Sequence, residues 1–333
     1  MKKISNRYLM LVLVLCLLQT QSAFATMSWM LTDITPLANR SLYEQEPRFN
    51  SDGTLVAYRA LYAPHSAWNS DIWVVALDGF NGSPVLSERA GEYAPSFAPD
   101  GRITYARRVP GSDNDDIWVI DKDGYDRHLL INGPGTLEQT VPYWHPSGDR
   151  LAYNNEYEND RSQIYRADVV SEGPLIVDPI GPSTGPADGY SQGSPIYSRS
   201  GDKIAYTNYA TAGGIAQAWV MDEDGANKQQ IGEGGPAFWW PADSRLGYVN
   251  PSSEVRLYNF ATGKHELLVI VPDPGPGGYP WDRIGGSPDL SPDGKWLVFQ
   301  GVDGHLWIGE VVPEPATLLL LGLGGLVLRR RRR

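Results

Sequence analysis

The chain has 333 residues, with 28 lysines and arginines against 39 aspartates and glutamates, for a formal net charge of −11. A balance this acidic repels nucleic acid and anionic lipid, so nucleic acid is not an expected partner. Its one cysteine, Cys16, cannot form a disulfide within the chain.

The first residues read as an export signal. Lys2, Lys3 and Arg7 form a basic start, and Tyr8 to Leu18 is an apolar run of 11 residues. Ala23-Phe24-Ala25 then offers the small-x-small pattern that signal peptidase reads, with Ala23 and Ala25 as the small residues and cleavage expected after Ala25. A short membrane anchor is the alternative. Cys16 follows Leu15 rather than the small residue of a lipoprotein signal, so the mature chain is expected to carry no thiol, hence no cysteine nucleophile and no thiolate metal site.

Next comes a lone strand candidate, Trp29-Met30-Leu31-Thr32-Asp33-Ile34, and then a repeat. Six copies start at prolines: Pro47 opens PRFNSDGTLVAY, Pro95 PSFAPDGRITYA, Pro142 PYWHPSGDRLAY, Pro195 PIYSRSGDKIAY, Pro236 PAFWWPADSRLGY and Pro288 PDLSPDGKWLVF. The steps are 48, 47, 53, 41 and 52 residues, a period that points to propeller blades. In each copy a short strand carries a large apolar residue: Phe49, Phe97, Trp144, Tyr197, Phe238 or Leu290. A turn such as Ser51-Asp52-Gly53 follows, where glycine reaches positive φ and aspartate bonds its own backbone. A second strand alternates, as in Leu55-Val56-Ala57-Tyr58. The third reads DIWVVALDG at 71–79, DIWVIDKDG at 116–124 and QAWVMDEDG at 217–225, with Trp73, Trp118, Trp219 and Trp307 at repeated positions that belong to blade core. A polar outer strand closes the copy, as at 127–131 and 227–231. No amphipathic helical pattern of useful length appears, and short strands with turns every 8–12 residues indicate an all-β chain. The sixth copy ends at Val312 without an outer strand. Residues 29–34 are expected to supply it and so remove the free edges of the ring. The expected fold is therefore a six-bladed β-propeller of four-stranded blades, its last blade closed by an N-terminal strand.

The SDG and PDG turns, the DIWV third strands and the proline-led first strands resemble the TolB-type, WD-repeat-like propeller family over roughly 44–312. That resemblance implies protein–protein recognition in the bacterial envelope. TolB proteins also carry an N-terminal α/β domain, for which the roughly 18 residues between Ala25 and the first blade are too few.

At the other end, Pro313-Glu314-Pro315 stops any strand, because proline fixes φ and removes a donor. Ala316 to Leu328 is a run of 13 apolar or small residues, followed by five arginines, Arg329 to Arg333. As a helix the run spans about 20 Å against a hydrocarbon core of about 30 Å, marginal for a permanent span but suited to transient retention in the inner membrane. The arginines fit the cytoplasmic side. This tripartite end resembles the PEP-CTERM sorting signal. The resemblance implies cutting near Pro315 by an exosortase-type processing enzyme and delivery to the surface or matrix of a Gram-negative-type bacterium. A simple tail anchor is the alternative. The expected organisation is a signal at 1–25, a propeller at 26–312 and a sorting signal at 313–333. Three basic residues fall in the signal and five in the tail, with no acid in either run, so residues 26–315 keep 20 bases against 39 acids, a net −19.

Function is expected on the long loops between second and third strands (60–70, 108–116, 154–162, 207–216) and at the blade entrances (181–194, 272–287), opposite the tight turns. Two loops read as acidic: Asp113, Asp115 and Asp116 in the second copy, Glu156, Glu158 and Asp160 in the third. They could together hold calcium, although neither EF-hand nor RTX spacing is present and a solvated face is the alternative. Trp68, Tyr157, Tyr209, Tyr279 and Trp281 are loop aromatics, readable as a sugar-binding surface or as local packing. Glu46, Glu92, Tyr93, Gln139, Gln192 and Arg283 stand near the channel, as a ligand-accepting ring or the lining of a water-filled bore. The five histidines, His65, His128, His145, His265 and His305, are scattered, and neither a nucleophile elbow nor a Walker loop is present; the Pro/Gly-rich 272–278 lacks the strand–helix context of a phosphate cradle. The reading is a non-enzymatic, monomeric, surface-delivered propeller that binds a partner protein or polysaccharide and needs no cofactor. The alternatives are a polysaccharide lyase or hydrolase with a channel metal, and a calcium-stabilised matrix scaffold.

Overall fold

Short apolar runs separated by turn residues favour strands, and a strand buried on both faces reads as a continuous apolar run. Val56, Ala57 and Tyr58 are all fully buried, as are Ile204 and Ala205. Their sheets are therefore covered on both sides. The computed structural model describes residues 31–34, 43–62, 69–78, 81–86, 91–108, 114–121, 123–132, 138–157, 161–169, 176–179, 191–209, 214–270, 288–301 and 304–311. All of them lie in the unit Met30–Val311.

They form 24 strands in six four-stranded antiparallel sheets. Blade 1 is β2 (Tyr43–Phe49), β3 (Leu55–Leu61), β4 (Ser70–Ala76) and β5 (Asn81–Pro84). Blade 2 is β6 (Glu92–Phe97), β7 (Ile103–Arg108), β8 (Asp115–Ile120) and β9 (Arg127–Ile131). Blade 3 is β10 (Glu138–Trp144), β11 (Arg150–Tyr157), β12 (Arg161–Asp168) and β13 (Ile176–Pro179). Blade 4 is β14 (Ser191–Tyr197), β15 (Lys203–Tyr209), β16 (Ala216–Asp222) and β17 (Gln229–Glu233). Blade 5 is β18 (Gly235–Trp239), β19 (Arg245–Val249), β20 (Glu254–Asn259) and β21 (Lys264–Ile270). Blade 6 is β22 (Asp289–Leu290), β23 (Trp296–Gln300) and β24 (Leu306–Glu310), completed by β1 (Leu31–Asp33) from the start of the chain. The expected closure is present: β1 pairs antiparallel with β24, Thr32 opposite Ile308, and the Ile34 amide donates to the Leu306 carbonyl at 2.9 Å.

The core lies between blades. Ile34, Phe49, Val56 and Tyr58 pack with Leu306 and Ile308 across the blade 6–blade 1 junction. Ala57, Ile72, Ile103 and Tyr105 fill the next junction, and Ile117, Trp144, Leu151 and Tyr153 the one after. Five first-to-second-strand turns hold a glycine at positive φ in the same slot, such as Gly53 (φ 75°) and Gly294 (φ 75°). Blade 5 departs from this with a 3-10 turn at Pro241–Asp243, where Ala242 takes φ 59°.

Two elements differ from expectation. The outer strand of blade 4 begins at Gln229, because Asn227 takes φ 49° and bonds Asp222, finishing the turn. Asp115 and Asp116 are not loop residues: they lie in β8, opposite Arg108 and Arg107. No helix among the described residues is long and apolar enough to cross a membrane. The expected signal, tail helix and Pro313-Glu314-Pro315 lie outside them.

Candidate functional site

The innermost strands β2, β6, β10, β14 and β18 share one irregularity. Each breaks register at its proline, between Gln45 and Arg48 in β2 and between Tyr93 and Ser96 in β6, for example. In four of them the residue before the proline sits in the left-handed region: Glu46 (φ 56°), Ala94 (50°), Val141 (49°) and Ser194 (50°). Such backbone costs about 1–3 kcal/mol per residue and persists only where the surroundings impose it. Cross-blade bonds do so here. The Ala94 amide donates to the Glu46 carboxylate at 2.5 Å, and the Ser194 amide to Asn154 Oδ1 at 3.0 Å.

All four strained residues line one cavity of about 250 Å³ in the central channel, with Tyr93, Tyr143, Thr207 and Tyr209. Tyr209 and Ala216 flank the loop between β15 and β16, so this cavity faces the second-to-third-strand loops. Beside it, charged groups of blades 1 to 3 interlock. Tyr93 donates its hydroxyl to Asp115 at 2.8 Å, and Arg108 Nε holds the other Asp115 oxygen at 2.8 Å. Arg59 reaches Ser70 Oγ at 3.1 Å, lies 3.7 Å from Glu46 and 5.3 Å from the centre of the Tyr93 ring. Burial pushes the Asp115 carboxyl up, against the Tyr93 hydrogen bond and the Arg108 charge. Burial and the Asp115 charge push Tyr93 well above the usual phenol range, so its hydroxyl stays a donor.

The structure sorts the expected site residues. Glu46, Tyr93 and Tyr209 meet at this cavity. Glu92 and Gln139 do not line this cavity: both are buried, Glu92 3.2 Å from Arg107 and Gln139 bonded to Asn155 at 2.9 Å. Those polar partners on the neighbouring strand draw the side chains into the sheet. Gln192 is half-buried, and its carbonyl accepts the Ser162 hydroxyl. Of the expected calcium ligands, Asp115 is engaged by Arg108 and Tyr93, Asp116 is buried on β8, and Glu156 is the penultimate residue of β11, accepting from Thr140 Oγ1 at 3.3 Å. Among the described residues no three histidine, cysteine or acidic side chains are arranged to hold a metal ion. Tyr157 is described in its backbone alone, at the end of β11. Trp68, Asp113, Glu158, Asp160, Tyr279, Trp281 and Arg283 lie outside the described residues. His128, His145, His265 and His305 fall in blades 2, 3, 5 and 6.

A second cavity, of about 240 Å³, opens among the tight turns at the other end of the channel. Arg48 and Tyr143 line both cavities and so mark where they meet. Asp289 of β22 is buried here and takes the Phe49 amide at 2.8 Å and its neighbour Leu290's at 2.9 Å. Burial pushes its carboxyl up, while Arg48 and Arg199 pull it down. Burial and the Asp289 charge push Tyr143 up to about 12. Arg199 ties three blades by donating to the carbonyls of Trp239 (3.2 Å), Leu290 (3.0 Å) and Ser291 (3.2 Å).

The six blades, the N-terminal closure and the channel make this chain a six-bladed β-propeller. The PEP-CTERM protein-sorting motif matches residues 311–333, so the chain is a propeller with an export and sorting signal for the bacterial envelope or surface, of the kind recognised by an exosortase. Comparison with curated proteins finds no match. Among solved structures, TolB from Acinetobacter baumannii is 16% identical with a TM-score of 0.52, over 80% of this chain and 54% of that one. The chain thus spans about half the length of that TolB. An oligogalacturonate lyase from Vibrio parahaemolyticus is 13% identical with a TM-score of 0.59, over 87% of this chain and 96% of that one. A gluconolactonase from Xanthomonas campestris is 11% identical with a TM-score of 0.59, over 86% and 91%. At these identities the likeness is one of fold, which binding proteins and enzymes share.

Proposed function

We propose that this exported propeller is a non-enzymatic binding protein that holds a partner protein or polysaccharide of the cell envelope on its loop face, centred on the cavity beside Glu46, Tyr93 and Tyr209. The observation that carries this reading is the concentration of backbone strain: four left-handed residues before proline, from four blades, line that one cavity. Strain of this kind collects where a fold shapes a site. Tyrosines with raised pKa supply rigid, amphipathic contact area, and Glu46 with Arg59 supplies charge for orientation. The sorting signal brings such a face to the envelope, where its ligand would be. The test is a glycan array together with direct titration of candidate envelope proteins, using the exported protein and its Tyr209→Ala variant. Saturable binding that Tyr209→Ala weakens about tenfold is expected. A ligand retained equally by the variant, or none of either class, overturns the reading.

A further inference from the structure

We propose that the loop-face cavity takes one neutral sugar ring, such as the terminal residue of a glycan chain, and holds it by hydroxyls rather than by charge. The inference rests on the binding role proposed for this cavity and names the class of ligand. Its polar groups fall into two sets. The charged ones are already matched inside the protein. Glu46 accepts the Ala94 amide and lies 3.7 Å from Arg59, while Arg48 donates to the Pro47 carbonyl and acts on the buried Asp289 carboxylate. They orient a ligand but offer it no unpaired charge. The Tyr93 hydroxyl is likewise taken, by Asp115.

The second set is neutral and unpaired. Tyr143, Ser194, Thr207 and Tyr209 line the cavity, and none of their hydroxyls makes a hydrogen bond among the described residues. Thr207 is the most telling, because it is only 5% exposed and a hydroxyl that deep is normally paired. It stands two residues from Tyr209 on β15, so both project from one face of the strand. Gly235 of blade 5 lies against it: a Cβ there would stand 3.2 Å from Thr207 Oγ1, so the missing side chain keeps the hydroxyl uncovered. Burial pushes the Tyr209 phenol up and Tyr143 to about 12, so both remain protonated donors. The other walls are apolar, with Pro95, Pro142, Pro195 and Pro236 coming one from each of blades 2 to 5. A sugar ring has the same double character. Its C–H faces pack on tyrosine and proline rings, and its rim of hydroxyls meets the unpaired ones. At about 250 Å³ the cavity falls below the roughly 300–1,000 Å³ of drug-sized sites, so one ring enters. A carboxylate on that ring would be buried without a free cation, in a chain of net charge −11.

Titration calorimetry of the exported protein with methyl glucoside and methyl galactoside, against glucuronate and galacturonate as acidic rings of similar size, reads the proposal. At least one neutral glycoside is expected to bind saturably, and the matching uronate at least about tenfold more weakly. Thr207→Val keeps the shape of the side chain and removes the hydroxyl, so it should weaken the neutral sugar about tenfold, and Thr207→Ser should retain it. Gly235→Ala, which brings a methyl group against that hydroxyl, should weaken it as well. If the Val variant fails to fold, the contrast between sugar and uronate on the unaltered protein still decides. No saturable binding of either glycoside, a uronate bound as tightly, or a Thr207→Val variant with full affinity overturns it. An envelope protein held in a Tyr209-dependent way, with both glycosides failing, overturns this inference and leaves the proposed function standing; no ligand of any class overturns both.

Discussion

Asp115 is 2% exposed, and its stability role follows from its two partners. Arg108 and Tyr93 each hold one oxygen, so the carboxylate satisfies a half-buried guanidinium and a phenol at once. Removing one partner of a buried pair strands the other charge, at a cost of about 3–5 kcal/mol. Asp115→Ala is expected to fall in that range in urea unfolding at neutral pH. The double variant with Arg108→Met should cost less than the two single changes added together, since no charge is left stranded. Simple additivity would show that the pair is not coupled. Two glycines give a matched contrast on the turn face. Gly201 (φ 87°) lies so close to His145 that a Cβ would stand 2.0 Å from the ring's Nε2, and that ring packs edge-on against Tyr197 at 4.9 Å. Gly101 (φ 94°) has nothing within 4 Å of the same point. Gly101→Ala should cost only backbone strain, about 1 kcal/mol, whereas Gly201→Ala should cost about 2 kcal/mol or more through the displaced imidazole. Melting temperatures of the two variants, measured side by side, check the order.

The turns between first and second strands act as small acid sensors. Asp52 accepts from the Thr54 hydroxyl and amide, Asp149 from the Ser147 hydroxyl and Arg150, and Asp293 from the Ser291 hydroxyl and the Lys295 amide. These bonds hold all three carboxyls below the usual range, Asp293 down to about 2. A carboxyl with a lowered folded pKa binds fewer protons folded than unfolded, so its contribution is complete above the unfolded value of about 3.9 and fades as the pH falls towards about 2. The triple variant Asp52→Asn, Asp149→Asn, Asp293→Asn should therefore lose melting temperature less steeply over that window than the parent. An unchanged slope would show that the turns do not carry this sensitivity. The same turns explain why so many elements were legible in the sequence. Asp-Gly chemistry and strand alternation are local, and they place the starts of β3, β8 and β9 to within a residue. Charge without partners reads badly: Asp115 and Asp116 resemble a loop until Arg108 and Arg107 are known to lie opposite. Glu92 and Gln139 likewise have partners, Arg107 and Asn155, on the neighbouring strand. The Arg48–Asp289 neighbourhood was illegible for another reason: Phe49 and Asp289 meet across 240 residues of chain, and only the slot after each repeat proline hints at it.

Ring closure is where the whole molecule depends on a three-residue strand. β1 contributes three residues to blade 6, yet it covers the edge of β24 that would otherwise offer unpaired amides and carbonyls to another chain. Three ladder pairs alone are a weak fastening. Ile34 supplies the rest: fully buried, it sits among Phe49, Tyr58, Leu306 and Ile308, in the layer shared by the first and last blades. One side chain therefore joins the start of the chain to both sides of the seam, and its amide repeats the attachment at the Leu306 carbonyl. Truncating a buried isoleucine costs about 2–5 kcal/mol through lost transfer energy and the cavity left behind. Ile34→Ala should fall in the upper part of that range, because the residue is fully buried among side chains of both the first and the last blade. It should also change behaviour that core truncations elsewhere leave alone. Once β1 detaches, β24 becomes a free edge, so the variant should associate in a concentration-dependent way at temperatures where it is still folded. Size-exclusion chromatography across a concentration series, with Leu151→Ala as a core truncation of similar cost in blade 3, separates the two effects. Association of both variants alike would mean that lost core packing, not the opened seam, is responsible.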